Sequence, residues 1–386
     1  MGQSNMAFGL AARDATGVLS PFSFPLRLSL SLSLSRPARM FLVTLLAKGD
    51  DDITLKILYC GICHSDLSTI KNEWRNAIYP VVPGHEIVGV ITEAGRNVQK
   101  FRVGDKAGVG YFISSCLSCD DCKQDSENYC PQLVPTFNSS HPDGTPTYGG
   151  FSNKLVVNEH FAVRIPTKLP VDKVAPLLCA GIAVYNPLKE HGLSEPGKHL
   201  GVVGLGGLGH LAVKFSKAFG VKVTVISTSP DKEKEATEKL GADSFIVSRD
   251  PEQMKAAMGT MDGILDTIAA DHSLMPLFAL LKTRGKLIAL GGMTKPTEIS
   301  LFPIMAGGKI MAGSIIGGVK GTQDMLSFAE EHNITAEVEV IGMDDVNTAM
   351  ERLQKGDVRF RFVIDVANTI RLSYKIQNLG EQNNVV

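Results

Sequence analysis

The stretch KHLGVVGLGGLGHLAVKFSKAFGVKVTVIS, Lys198 to Ser227, leaves the chain few folds to choose from. An apolar run from Leu200 to Val203 reads as a strand. After a glycine cluster, Leu211, Val213, Phe215 and Ala218 recur at helical spacing, and Lys222 to Ile226 reads as a second strand. Strand, turn, helix and strand make a βαβ unit. The turn holds Gly204, Gly206 and Gly209 in G-x-G-x-x-G spacing. The first glycine allows a tight turn, the second lets backbone approach a pyrophosphate, and the third lets helix pack on strand, with the first helical N–H groups facing the anion. Alone, such a pattern is common in ordinary core turns; within strand, turn, helix and strand it indicates dinucleotide binding. Strand-like runs follow at GADSFIV, MDGILDTI, GKLIALGG and KIMAGSIIGG, separated by helical stretches, so an α/β fold with a doubly wound parallel sheet is expected.

The end of the second strand selects the dinucleotide. An acidic side chain there would grip the ribose hydroxyls of NAD, whereas a 2′-phosphate needs small donors and a cation. This chain places Ser227, Thr228 and Ser229 at that point with Lys232 close behind, which favours NADP(H). Asp231 and Glu233 nearby keep an ordinary polar turn as the alternative.

At 386 residues the chain exceeds what one core organises, so two domains are expected. Thirty-nine basic residues against forty acidic leave a net charge of -1, with no electrostatic footprint for nucleic acid or a membrane surface. Seven cysteines is an odd number, which argues against a secreted disulfide framework and for metal ligands in the reducing cytoplasm. Cys116, Cys119, Cys122 and Cys130 form C-x2-C-x2-C-x7-C. Four thiolates so spaced fill the tetrahedral shell of a zinc ion and leave no position for substrate, so this site is read as structural. Cys63, His85 and Cys179 lie in three separate glycine-rich segments. Two cysteines and a histidine with a fourth position open are a catalytic zinc set. Spacing alone does not bring them together: singly, Cys179 reads as a packing residue and His85 as part of a capped turn. Cys60 and His64 read as bystanders, a strand cysteine and a ring turned away from the metal.

One segment fits none of this. Leucines at 26, 28, 30, 32 and 34 alternate with serines before the apolar MFLVTLLA. That run is far shorter than the roughly 18 to 20 residues a membrane span needs, and it lies too far from the start for a signal peptide. An extended surface insertion is expected, with an organellar transit peptide as the alternative.

Taken together, YCGICHSD, YPVVPGHEIVG, the four-cysteine loop, GGFSNKLVV, APLLCAG, GLGGLGH, GKLIALGG and DVRFRFVIDV resemble the plant cinnamyl alcohol dehydrogenase family of zinc-dependent medium-chain dehydrogenases, in its mannitol-dehydrogenase-like branch. The likeness runs from about Asp51 to Asn368 and includes AARDATGVLSPF near the start, so the segment near 27–47 looks like an insertion left by a retained intron or a mis-drawn gene model. The resemblance implies a GroES-like, mostly-β catalytic domain at 1–179 and 318–386 and an NADP-binding Rossmann domain at 180–317. It implies two zinc ions per subunit, the catalytic one held by Cys63, His85 and Cys179, with Glu86 able to approach the metal when substrate is absent. Ser65 would receive the alcohol proton and touch the cofactor. Gly204, Leu205, Gly206, Gly207, Leu208 and Gly209 would bind pyrophosphate, Ser227, Thr228, Ser229 and Lys232 the 2′-phosphate, and Thr267, Gly291, Ser314, Ile315 and Ile316 would wall the nicotinamide. A homodimer joined around GKIMAGSII is implied.

Three departures qualify the likeness. Ser68 stands where many relatives end their proton relay with a histidine. Ala183 replaces a cofactor-contacting threonine, a loss of about 1 kcal/mol. Pro135 stands where cinnamyl-specific members carry a tryptophan. The implied activity is reversible hydride transfer between NADP(H) and an aromatic or allylic, cinnamyl-type aldehyde or alcohol, with no nucleic-acid or membrane partner. A mannitol or other polyol dehydrogenase and a terpenoid or alkaloid reductase are alternatives with the same machinery. A zinc- and dinucleotide-binding protein with little turnover is the alternative of another class.

Overall fold

A computed structural model describes residues 6–26, 49–292 and 295–370. The insertion expected near 27–47 lies outside them. The chain forms two compact units: one takes the described residues of Met1–Leu178, Val338–Val358 and Phe362–Val386, the other Cys179–Glu337 and Arg359–Arg361.

In the first unit, alternating and doubly buried strands build a seven-stranded sheet. Its path runs Val338–Ile341, Arg361–Asp365, Asp52–Gly61, Ile87–Ala94, Lys106–Val109 and Ala162–Arg164, and Lys154–Asn158 pairs with Asp52–Gly61 off that path. Pairing is antiparallel from Val363↔Gly61 through Val109↔Ala162. The long central strand buries Ile53, Leu55, Ile57 and Cys60. Two hairpin-like pairs complete the unit, Met6–Ala12 with Leu19–Pro25 and Phe112–Ser114 with Val134–Pro135.

The second unit is the doubly wound sheet. Six strands pair in parallel in the order Ser244–Val247, Lys222–Ser227, His199–Val203, Met261–Asp266, Leu281–Ala289 and Ile310–Gly313. Parallel neighbours require crossovers, and helices such as Gly209–Ala218 and Met275–Leu280 supply them. The order reverses between His199–Val203 and Met261–Asp266, so the crevice beyond their carboxyl ends is where such sheets bind ligands. The return to the first unit falls at Val338, beyond the Gly317 read from the sequence. The reason is the helix Val319–Glu331, whose Met325 and Leu326 are buried and whose Phe328 stacks on Phe219 at 4.4 Å and 25° within the second unit.

Candidate metal centres and cofactor turn

The four-cysteine loop brings the sulfurs of Cys116, Cys119, Cys122 and Cys130 within 4.8 Å of one another. Four soft donors at that separation fit one tetrahedral zinc. The loop prepares them for it: the N–H groups of Ser118 and Cys119 donate to Cys116 Sγ at 3.5 and 3.2 Å and hold its thiol down to about 5. The loop is tied to the sheet by Glu127, buried, whose Oε1 lies 3.1 Å from His160 Nε2.

The second donor set is assembled from afar. Cys63 caps the short helix His64–Ile70, His85 and Glu86 precede the strand Ile87–Ala94, and Cys179 follows directly on the turn Ala175–Leu178. One donor atom from each of Cys63, His85, Glu86 and Cys179 lies within 4.8 Å of the other three. Thiolates, an imidazole and a carboxylate suit zinc, and a carboxylate is the ligand most readily displaced by substrate oxygen. Room for that carboxylate comes from Gly61: a Cβ there would lie 1.9 Å from Glu86 Oε2.

Asp66, which sequence reading missed, organises this centre. Fully buried, it accepts from Cys63 N at 2.8 Å and from Gly84 N at 3.0 Å, and its Oδ1 lies 3.1 Å from His85 Nδ1. The carboxylate holds a proton on Nδ1 and leaves Nε2 for a metal. Burial works against a charged His85, but Asp66 and Cys63 outweigh it and raise its pKa well above the imidazole range. A cation bound there therefore displaces a proton. The signal in the sequence was C-x-x-D at a helix start, which reads equally as a capping box.

Ser65 and Ser68 share that helix, three residues apart and so on one face. Ser68 is buried and its hydroxyl donates to Glu73 Oε2 at 2.7 Å, a partner that was not foreseen. His64 is exposed. Cys60 is fully buried, its sulfur packed where Gly84 and Gly150 have no Cβ, and burial pushes its thiol far up. Two rings flank His85, Tyr111 edge-on and Phe137 stacked, each 5.7 Å between centroids.

In the second unit the glycine turn has the features its spacing predicts. Gly204 has φ +88°, a Cβ on Gly206 would meet nothing within 4 Å, and one on Gly209 would lie 2.0 Å from Gly204 O. Two of the turn's carbonyls are already engaged. Leu205 O accepts from Lys232 Nζ at 3.1 Å, and Gly206 O accepts from the His210 backbone N–H and from Nδ1, both at 3.0 Å. The N–H groups left over suit an anion. Behind the turn the buried Arg361 packs on Gly207, a cation sequence reading did not single out.

The strand Lys222–Ser227 ends in a buried serine whose Oγ accepts from Ser229 N at 3.2 Å, with Thr228 exposed beside it and no carboxylate at the strand end. Thr267 Oγ1 donates to Val203 O at 2.7 Å, and Gly291 lies so near Ile268 that a Cβ would be 2.0 Å from its carbonyl. Among the described residues the buried hydroxyl of Ser314 has no hydrogen-bond partner, Ile315 is exposed, and Ile316, β-branched, sits at φ +45°. A β-branched residue in the left-handed region is strained, and such strain collects at functional sites.

Residues 49–167 match the alcohol dehydrogenase GroES-like domain, and residues 207–331 match the zinc-binding dehydrogenase model. A protein named "Probable mannitol dehydrogenase" from Mesembryanthemum crystallinum is 60% identical over 365 residues, covering 95% of this chain and 96% of that one. The chain belongs to the zinc-binding alcohol dehydrogenase family, in its plant cinnamyl alcohol and mannitol dehydrogenase branch. Within this alcohol dehydrogenase family, a cinnamyl alcohol dehydrogenase from Sorghum bicolor is 55% identical with a TM-score of 0.88, covering 94% of this chain and 98% of that one. CAD from Helicobacter pylori, solved in complex with NADP(H), is 36% identical with a TM-score of 0.83, covering 94% and 99%. The dehydrogenase fold is therefore GroES-like in its mostly-β unit and Rossmann-type in its parallel one, as the resemblance implied. Among the described residues no helix is long and apolar enough to cross a membrane.

Proposed function

We propose that this alcohol dehydrogenase transfers hydride reversibly between NADP(H) and aromatic or allylic aldehydes and alcohols of the cinnamyl type. The observation that carries the reading is the open donor set of Cys63, His85 and Cys179, with Glu86 as the displaceable fourth, in a chain where four of the five other cysteines form a closed set. Zinc bound at the open set supplies Lewis acidity toward a carbonyl or hydroxyl oxygen, and the dinucleotide supplies or accepts hydride.

The rest falls to the chain itself. Asp66 fixes the His85 tautomer, Ser65 takes up the alcohol proton, and Ser68 with Glu73 offers it a way out to solvent. Ser227, Thr228, Ser229 and Lys232 would hold a 2′-phosphate, and the turn from Gly204 to Gly209 the pyrophosphate. The NADP(H)-bound CAD from Helicobacter pylori supports this choice of cofactor.

For the substrate, Tyr111 and Phe137 beside His85 favour a flat, apolar carbonyl compound over a polyol. Pro135 provides no aromatic ring, but Phe137 stands two residues further along. The mannitol reading rests on the 60% identical relative that bears that name. A second copy of the chain as partner is supported by the open edge strand Ile310–Gly313, and a cytoplasmic setting by cysteines gathered as metal ligands.

Cofactor oxidation with cinnamaldehyde, a monoterpene aldehyde and fructose, on protein of measured zinc content, tests the reading. NADPH-dependent turnover of cinnamaldehyde is expected. Fructose as the sole substrate would establish the polyol reading, NADPH binding without turnover of any would establish a binding protein, and activity with NADH alone would overturn the cofactor.

A further inference from the structure

The second unit contains one short piece of chain, Arg359–Arg361, whose sequence neighbours on both sides belong to the first. Its backbone is fixed: the N–H groups of Phe360 and Arg361 both donate to Glu337 O, at 3.1 and 3.2 Å. Phe360 stacks on the buried His210 at 4.7 Å and 15°. His210 in turn joins this strap to the glycine turn, donating from Nδ1 to Gly206 O and accepting at Nε2 from Glu337 N at 3.3 Å. Because Nε2 must accept, the ring has to be neutral, and burial lowers its pKa to about 3. The strap is therefore held rigidly against the turn that the sequence assigns to pyrophosphate.

Its first residue has no such structural employment. The Arg359 side chain is 51% exposed and pairs through Nε with Glu235 Oε2 at 3.2 Å, so the terminal fork of the guanidinium is not consumed by that contact. Glu235 lies three residues after Lys232, one helical turn on, and Lys232 reaches the glycine turn through Leu205 O. Burial and then the charge of Arg359 both lower the Lys232 pKa, so the two cations feel one another. Two cations placed in each other's field, beside hydroxyl-bearing residues and without a carboxylate at the strand end, are mutually destabilising until a dianion joins them. A cavity of about 270 Å³ lined by Glu235, Lys239, Leu240, Glu337, Arg359 and Phe360 gives the guanidinium room to turn.

The geometry points to Arg359 as a further specificity-determining residue, a second cation that binds the ribose 2′-phosphate of NADP(H) opposite Lys232. Glu235 holds the side chain at the rim of the site. Arginine suits the task because its planar fork takes two phosphate oxygens at once. The assignment rests on the NADP(H) reading and extends it to a residue more than a hundred positions beyond the strand end that suggested it.

Calorimetric titration with 2′,5′-ADP and with 5′-AMP separates the two. Wild-type protein is expected to bind 2′,5′-ADP far more tightly; equal affinities would overturn the cofactor reading itself. Arg359→Gln should weaken 2′,5′-ADP about tenfold or more, the loss of one charged hydrogen bond, and leave 5′-AMP within twofold. KM for NADPH should rise in step while kcat holds. Equal weakening of both nucleotides would make Arg359 a structural part of the strap and overturn the proposal, as would unchanged discrimination. Arg359→Lys should recover part of the loss. Glu235→Gln, which frees Arg359 without removing it, should keep or improve 2′,5′-ADP affinity; a tenfold loss in that variant would also count against the proposal.

Discussion

At position 61 only a hydrogen fits, since any Cβ would strike the Glu86 carboxylate. That vacancy allows an acidic side chain to sit beside His85 in a fully buried place, where an unaccommodated carboxylate would be costly. Single atoms also decide the proton path. Ser68 presents a hydroxyl, which does not titrate in the working range, to the Glu73 carboxylate. A histidine in its place has an ordinary pKa of about 6.5 and would titrate between pH 6 and 7. Ser68→His should therefore introduce an inflection in that interval of the pH profile of alcohol oxidation, absent from the wild type. Superimposable profiles would contradict a relay through this residue. Neither Asp66 nor Glu73 was legible beforehand, because sequence reading for metals looks for ligands, and these two carboxylates act on a ligand and on a hydroxyl instead.

Among the elements, the four-cysteine loop and the Gly204–Gly209 turn were legible because each is local: all the atoms that matter lie within a few residues, and spacing alone states the geometry. Cys63, His85 and Cys179 span more than a hundred residues and lie together only in the folded chain, so only resemblance could join them. The strands of the parallel sheet were legible as apolar runs. The short strands Lys106–Val109 and Ala162–Arg164 are too brief to show a period, and they exist because neighbours pair with them. The loop's role as a staple predicts how it fails. Cys122→Ser should lower zinc content from two ions per chain to one by atomic emission and leave the other centre loaded. If the lost site stabilises by even about 2 kcal/mol, the thermal midpoint falls by roughly 4–8 °C in a domain of this size. Two ions retained, with an unchanged midpoint, would remove the loop from the metal count.

At the scale of the whole molecule, the parallel sheet ends in an exposed edge. Ile310 and Met311 on the strand Ile310–Gly313 are 45% and 40% exposed, and Phe302 and Met305 on the adjoining helix are 76% and 75% exposed. An open apolar edge of this kind either finds a partner or aggregates. A two-fold pairing of copies through it is the economical solution, since both partners then bury the same patch. Light scattering after size exclusion should give twice the 41.5 kDa chain mass for the wild type, and the single chain mass for the double variant Ile310→Lys, Met311→Lys. A wild type that elutes as a monomer would leave this edge without that role.

Cys60 carries a further consequence. The other six cysteines fall into the two donor sets, while Cys60 is sealed near the end of the strand Asp52–Gly61, where it lies between Ile364 of Arg361–Asp365 and Ile87 of Ile87–Ala94. In the zinc-loaded protein a thiol reagent can reach it only after that strand has parted from its neighbours. The chain thus carries its own clock: the rate at which a thiol reagent labels this one sulfur times the opening of the sheet beside Cys63 and His85, with no reporter residue engineered in.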